Sequence, residues 1–203
     1  TFEDVLDSIA SRGLKITKPT PGDSYDLGDA SFTILSPVKD YGSDLNNWSV
    51  GIRLTYGDNS FLMCGDAEKD AEEDMVNSGA VLSADVLKAG HHGSSTSTSY
   101  PFLREVLPEY AVISCGTGNS YGHPHDETMS RLRDADVTVY RTDLQGHVVC
   151  TSDGTGLTFT TQKNQDADTN PGEAEGAGTY IGNKNSQVFH RPDCTGLPAG
   201  QNQ

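Results

Sequence analysis

Apolar and polar positions alternate most clearly over Ser49–Tyr56, where Val50, Ile52, Leu54 and Tyr56 share one face of a half-buried strand. Gly57-Asp58-Asn59 then supplies a hairpin turn into a second strand, Ser60–Cys64. Ahead of them Phe2, Val5, Leu6 and Ile9 recur at helical spacing, and Gly13 stops a helix over 2–12. Thr17–Gly28 is turn-rich, and Ser31–Leu35 reads as a strand closed by Ser36-Pro37. Downstream the pattern predicts an acidic helix over Ala67–Ser78, a buried strand over Ala84–Ala89 and a helix over Ser97–Leu107. A strand at Tyr110–Ser114 and a helix at Asp126–Asp134, capped by His125 or Asp126, come next. Strands at Val137–Arg141, His147–Thr151 and Leu157–Thr161 complete the series. Helices alternating with strands predict an α/β-type layered sheet packed by helices.

The pattern stops at Thr161. From Gln162 to Thr179 the chain turns to Asn, Asp, Glu, Gly, Ala and Pro without apolar spacing, the composition of a flexible linker. Residues 180–203 resemble the start of a small module appended to secreted nucleases and hydrolases. A truncated module is expected to be disordered, and His190 and Cys194 fill too few positions for a structural zinc site. The organisation expected is therefore a domain over 1–161, a linker over 162–179 and a small module over 180–203.

Composition narrows the function. The net charge of −15 excludes a fully cationic nucleic-acid-binding surface, so any polyanionic substrate must be held by metal or by a local patch. Hydrophobic content of 34% and aromatic content of 7% are low for a self-sufficient globule. The four cysteines are scattered singly, and Cys64, Cys115 and Cys150 fall in apolar runs as small buried hydrophobes. No apolar segment approaches the ~20 residues a membrane helix needs, and Thr1-Phe-Glu-Asp is not a signal peptide.

Chemistry concentrates at strand ends. Val86-Leu-Lys-Ala-Gly-His91-His92-Gly93-Ser94-Ser95 delivers two histidines into a loop that cannot pack a core. Ser60-Phe-Leu-Met-Cys64-Gly65-Asp66 delivers an acid in the same way. Imidazole and carboxylate on neighbouring strand ends suit a divalent ion such as zinc. Adjacent residues on an extended stretch point opposite ways, so His91 and His92 are not expected to serve one metal equally. His123 and His125 flank Pro124, where they either cap and line a turn or stand at a pocket rim, gripping a phosphate or protonating a leaving group. His147 reads as a packed or surface residue. Ser94, Ser95, Thr96 and Ser97 lack the Gly-x-Ser-x-Gly elbow of a nucleophile, but their hydroxyls and amides suit a phosphate oxygen. Glu68, Asp70, Glu72, Glu73 and Asp74 read as the solvated face of a helix.

The order of Asn46-Asn47-Trp48-Ser49-Val50, Phe61-Leu62-Met63-Cys64-Gly65-Asp66-Ala67-Glu68, Leu87-Lys88-Ala89-Gly90-His91-His92-Gly93-Ser94, Tyr121-Gly122-His123-Pro124-His125, Arg141-Thr142-Asp143 and Ser152-Asp153-Gly154 resembles the metallo-β-lactamase-fold hydrolases. Within them it is most similar to the soluble domain of ComEC-type competence proteins and their secreted relatives, over roughly residues 1–160. The family's first metal motif, His-x-His-x-Asp-His, is not in the sequence, and no His precedes position 91. The resemblance therefore implies the C-terminal half of an αββα sandwich, with an upstream half-domain needed for a complete site.

The resemblance further implies that Asp66 bridges two divalent ions, zinc or manganese, with a hydroxide between them, and that His91 is a terminal ligand. His92 is then a group supporting the ligands, a leaving-group acid, or the ligand in place of His91. Asn47 and Ser49 stand where related hydrolases often carry another metal-ligating His, and a purely structural role for both stays open. With Ser94 and Ser95 they are the candidate substrate-binding residues, while Asp66, His92, His123 and His125 are the candidate catalytic ones. The activity implied is a metal-dependent phosphodiesterase or nuclease acting on nucleic acid in competence and DNA uptake, secreted or on the extracellular surface. The alternatives are a non-catalytic scaffold domain and a hydrolase of a small ester such as a choline-phosphate ester, lactone or β-lactam.

Overall fold

The computed structural model describes residues 1–171, 181–183 and 188–190. It divides into two units, Thr1–Asn170 and Pro171–Gln203. In the first, β1 (Ser24–Leu27), β2 (Ala30–Ser36), β3 (Gly51–Tyr56) and β4 (Asn59–Met63) form an antiparallel meander. β5 (Val86–Lys88), β6 (Tyr110–Ile113) and β7 (Thr138–Arg141) continue the sheet in parallel, so the seven strands lie in chain order. Helices α2 (Lys69–Asn77), α3 (Tyr100–Val106) and α4 (Asp126–Asp134) make the crossovers between the parallel strands. The result is an α/β fold with a mixed sheet, as the alternating pattern predicts.

One face of that sheet is sealed. Leu62, Leu87, Ala111 and Val139 stand in register across four strands and are all buried. Met75 and Ala71 of α2, Phe102, Leu103 and Val106 of α3, and Met129 and Leu132 of α4 pack with them in one core. Each of the larger buried side chains, such as Leu62, Met75 and Phe102, contributes about 1.5–3 kcal/mol relative to exposure. The opposite face carries Phe32, Ile52, Leu54, Phe61 and Met63, which are only half buried. Part of it is capped by the hairpin of β8 (Val148–Ser152) and β9 (Leu157–Thr161), whose Phe159 stacks on Tyr140 at 4.3 Å and lies tilted against Tyr110 at 4.7 Å.

Several boundaries differ from the sequence pattern. The turn-rich stretch before Gly28 contains β1, and Thr142–Gln145 forms a short helix, α5. The helix expected over Ser97–Leu107 starts only at Tyr100, because Thr98 and Ser99 are held in place by Glu72. Helix α1 (Phe2–Ser11) forms with a capping box from Thr1 and Asp4, and none of its residues is buried.

The segment expected to open a linker at Gln162 is held against the domain as far as Asn170. Thr169 is 5% exposed and donates its hydroxyl to the Val139 carbonyl. Asn170 Nδ2 donates to the Met129 carbonyl at 3.0 Å, and Arg133 donates to Asn170 Oδ1 at 3.1 Å. Short polar residues here serve as hydrogen-bond partners, which a search for apolar spacing does not register. In the second unit, β10 (Ile181–Asn183) pairs antiparallel with β11 (Val188–His190). The rest of the expected module, with Cys194 and the His190 side chain, lies outside the described residues.

Candidate functional site

The chemistry-bearing motifs meet at the carboxyl ends of the parallel strands, where open α/β sheets place their sites. β4 leads into Cys64-Gly65-Asp66, β5 into Gly90-His91-His92, β6 into Ser114-Cys115 and β7 into Thr142-Asp143. Gly65 turns the first of these with φ +57°, and a Cβ there would press on Ser49. Ser49 Oγ accepts the Asp66 N–H at 3.0 Å and fixes the acid's backbone.

His91 and His92 are not extended. Both adopt left-handed conformations, φ 44° and 57°, in a tight turn from Gly90 to Gly93. Such backbone is uncommon for a residue with a side chain and collects at functional sites. The opposite-facing arrangement expected of an extended pair is thereby overturned, and both rings join one cluster with centroids 6.3 Å apart.

Each ring has one nitrogen fixed. His92 Nδ1 donates to the Ser114 carbonyl at 2.7 Å, which leaves the Nε2 lone pair facing outward. That Nε2 lies 3.4 Å from Asp66 Oδ1. His91 Nδ1 lies 3.0 Å from Glu68 Oε1. Glu68 Oε1 also accepts from Asn46 Nδ2 at 3.1 Å and Thr96 Oγ1 at 3.0 Å, so it is a buttress and not a solvated helix residue. Among the described residues no three His, Cys, Asp or Glu side chains converge closely enough to hold one ion.

The second histidine loop closes over the first. Gly93 has φ +85°, and a Cβ there would meet Pro124 at 2.7 Å, so only glycine lets the His123-Pro124 turn approach. The Gly93 carbonyl accepts the His125 N–H at 2.9 Å. His125 Nδ1 accepts the Ser95 N–H at 2.9 Å, and its Nε2 therefore donates to the Tyr121 carbonyl at 3.0 Å. His125 is thus a clasp between loops. His123 packs its ring against His91, His125 and Tyr121 with centroids 5.6, 4.8 and 5.6 Å away. Burial first, then the neighbouring imidazoles, hold its pKa below the ordinary histidine value against the pull of Asp66.

The remaining candidates divide. Asn47 is 2% exposed, its Oδ1 accepts the Glu68 N–H at 2.9 Å and its Nδ2 donates to Asp44 at 2.7 Å. It ties the Asn46–Ser49 loop to the start of α2. Ser94 is buried and shares a hydrogen bond with Thr96 Oγ1 at 2.9 Å. Ser95 donates its amide N–H to His125 Nδ1. Lys88, at the end of β5, is lowered in pKa by burial and drawn back up by Asp66. Sequence reasoning left Lys88 and the Ser114 carbonyl without a role, although both sit within strand-end motifs. No pattern of residue types marks a backbone carbonyl.

The structure therefore defines an α/β protein with a carboxylate–imidazole cluster at one end of a mixed sheet. No family model matches the chain. Curated proteins do. It is 36% identical over 146 residues to ComE operon protein 3 of Bacillus subtilis (strain 168), covering 72% of this chain and 19% of that protein. It is 40% identical over 116 residues to competence protein ComA of Neisseria gonorrhoeae, covering 57% of this chain and 17% of that protein. With recombination protein 2 of Haemophilus influenzae identity is 37% over 129 residues, 64% of this chain and 16% of that protein. The chain is thus a homologue of competence- and recombination-named proteins and spans less than a fifth of the length of each.

Proposed function

We propose that this chain is the C-terminal portion of an αββα metallo-β-lactamase-type domain that hydrolyses a phosphodiester in a nucleic-acid strand during DNA uptake, outside the cell. The observation that carries the reading is the Asp66–His92 pair. Its 3.4 Å separation is longer than a normal hydrogen bond. Two donors on one tetrahedral zinc are about 3.4 Å apart, given bonds of ~2.1 Å.

Asp66 and His92 would hold a divalent ion, zinc or manganese, and His91, whose ring centroid lies 6.3 Å from that of His92, would be left to a second ion. Bound ions would supply an activated water and positive charge against the scissile group. The chain's own residues orient the donors. The Ser114 carbonyl keeps the His92 proton on Nδ1, and Glu68 does the same for His91. Such outer partners fix tautomer and ring orientation in metal sites generally. His123 stands beside the pair, its ring centroid 6.5 Å from that of His92, with its pKa held below the ordinary histidine value by burial and the neighbouring imidazoles. The two-donor pair calls for further ligands from an upstream half-domain. The half-buried face of Phe32, Ile52, Leu54, Phe61 and Met63 is the surface that half would cover. The competence names of the relatives support a DNA strand over a small ester as substrate.

The test is hydrolysis of bis-p-nitrophenyl phosphate and of a labelled DNA strand with manganese or zinc. The 203 residues alone should bind metal weakly and turn over little, and the upstream half, in cis or as a separate chain, should restore both. Asp66→Ala should then abolish turnover and much of the metal content. Retention of both by Asp66→Ala would sink the reading.

A further inference from the structure

Tyr121 stands out among the aromatic residues near the cluster because it is 76% exposed. Its ring lies 24° from parallel to His123 with centroids 5.6 Å apart. His123 in turn lies 18° from parallel to His92 at 6.5 Å. Three near-parallel rings thus lead outward from the Asp66–His92 pair, and the outermost presents an open face to solvent.

The loop that carries Tyr121 is built to hold it. Asn119 Oδ1 accepts the N–H groups of Tyr121 at 3.2 Å and His123 at 3.0 Å. Asn119 Nδ2 donates to the carbonyls of Gly116 at 2.9 Å and His123 at 2.6 Å. The Tyr121 carbonyl is itself fastened by His125 Nε2. A large aromatic ring displayed on so constrained a loop loses little freedom when a flat ligand settles on it. Charge points the same way. A protein of net charge −15 gains little from counterion release on a polyanion, so affinity for a strand must come from contacts other than ion pairs.

We propose that Tyr121, backed by His123, is a stacking platform for an unpaired base of a strand that passes beside the Asp66–His92 pair. The identity of the ligand as a nucleic-acid strand rests on the proposed function. The stacking itself does not depend on hydrolysis. The platform selects a single strand, whose bases can splay onto an aromatic face, over a duplex, whose bases are stacked on one another.

Equilibrium binding in EDTA reads the platform separately from turnover. The probes are fluorescently labelled oligothymidylate, an abasic strand of equal length, and the same thymidylate in duplex with oligoadenylate. The full chain should bind the thymidylate roughly tenfold or more tightly than the abasic strand, in line with base–aromatic stacking. Tyr121→Ala should erase that preference, Tyr121→Trp should keep it, and Tyr121→Leu should not restore it. All three variants should melt with the parent, since the ring is exposed. Equal affinity of the parent for thymidylate and abasic strands overturns the proposal, as does absence of binding to either. So does tighter binding of the duplex than of the single strand, or a preference undiminished in Tyr121→Ala. A complete domain that cleaves nothing, while its preference for bases still requires Tyr121, would sink the hydrolase reading and leave the platform standing.

Discussion

His92 rests Nδ1 on the Ser114 carbonyl at 2.7 Å and turns Nε2 to within 3.4 Å of Asp66 Oδ1. The relationship ranks the two adjacent histidines as metal donors. His91→Ala leaves the Asp66–His92 pair intact, whereas His92→Ala removes one half of it. Metal content by mass spectrometry on the complete domain should fall further in His92→Ala than in His91→Ala. The reverse ranking would return the principal ligand role to His91.

That expectation reverses the one drawn from sequence, and the reason is local. Val86-Leu87-Lys88 is a strand, and reading the two histidines as its extended continuation sets them on opposite sides. The left-handed turn at Gly90–Gly93 depends on partners far away in the chain: the Gly65 carbonyl accepting the His91 N–H at 3.1 Å, and Pro124 lying against Gly93. Elements with strong periodicity were legible. Asp126–Asp134 and Leu157–Thr161 fall where the apolar spacing puts them. The strand-end positions of Asp66 and the histidines were legible for the same reason. Glu68 was not, and for Asn47 and His125 the structural role was one of two left open, because such roles are set by which loop each side chain clasps, and residue type alone does not encode that.

A buried pair supports the loop that frames the cluster. Glu72, 1% exposed, accepts the N–H groups of Thr98 and Ser99. Arg131 donates to the carbonyls of Ser95 at 2.9 Å, Ser97 at 2.8 Å and Thr98 at 3.0 Å. Together they hold Thr98 in a left-handed conformation, φ 56°, that a β-branched residue resists. Arg131→Met strands three carbonyls and leaves Glu72 without its nearby cation. It should lower stability by about 3–5 kcal/mol in urea melts. A loss under about 1 kcal/mol would mean water replaces the guanidinium.

Arg141 and Asp143 form a two-point ion pair, Nε to Oδ1 at 3.1 Å and NH2 to Oδ2 at 2.7 Å. Burial alone would raise the Asp143 carboxyl. The Arg141 hydrogen bond and charge, with help from the Cys115 thiol, carry it below the usual aspartate range instead. The native state therefore binds that proton less tightly than the unfolded chain. The stability gained is present in full above the ordinary value of about 3.9 and is lost as pH falls through the lowered one. Asp143→Asn should cost about 2 kcal/mol near neutrality. The gap from the parent should close in acid, and a gap independent of pH would show that the ion pair is not its source.

The first unit extends to Asn170, past the last strand of its hairpin. Gln145 is 1% exposed and donates through Nε2 to the Asn164 carbonyl at 3.4 Å, while its Oε1 accepts the Arg141 N–H at 2.9 Å. Thr169 covers the outer edge of β7 through its bond to Val139, and Arg141 NH1 reaches the Thr169 carbonyl at 3.4 Å. A chain cut after Thr161 loses all of these partners except the Arg141–Gln145 bond. It also uncovers Val139 at an edge strand, where unpaired backbone invites association. A chain cut after Pro171 keeps them. Losing five part-buried or buried hydrogen bonds at about 1 kcal/mol each should lower the melting temperature by roughly 10–20 °C for a domain of this size. The cut after Pro171 should leave the first unit's transition in place. Calorimetry on the two truncations beside the full chain decides the point, and equal melting of both would show that 162–170 adds nothing to the fold.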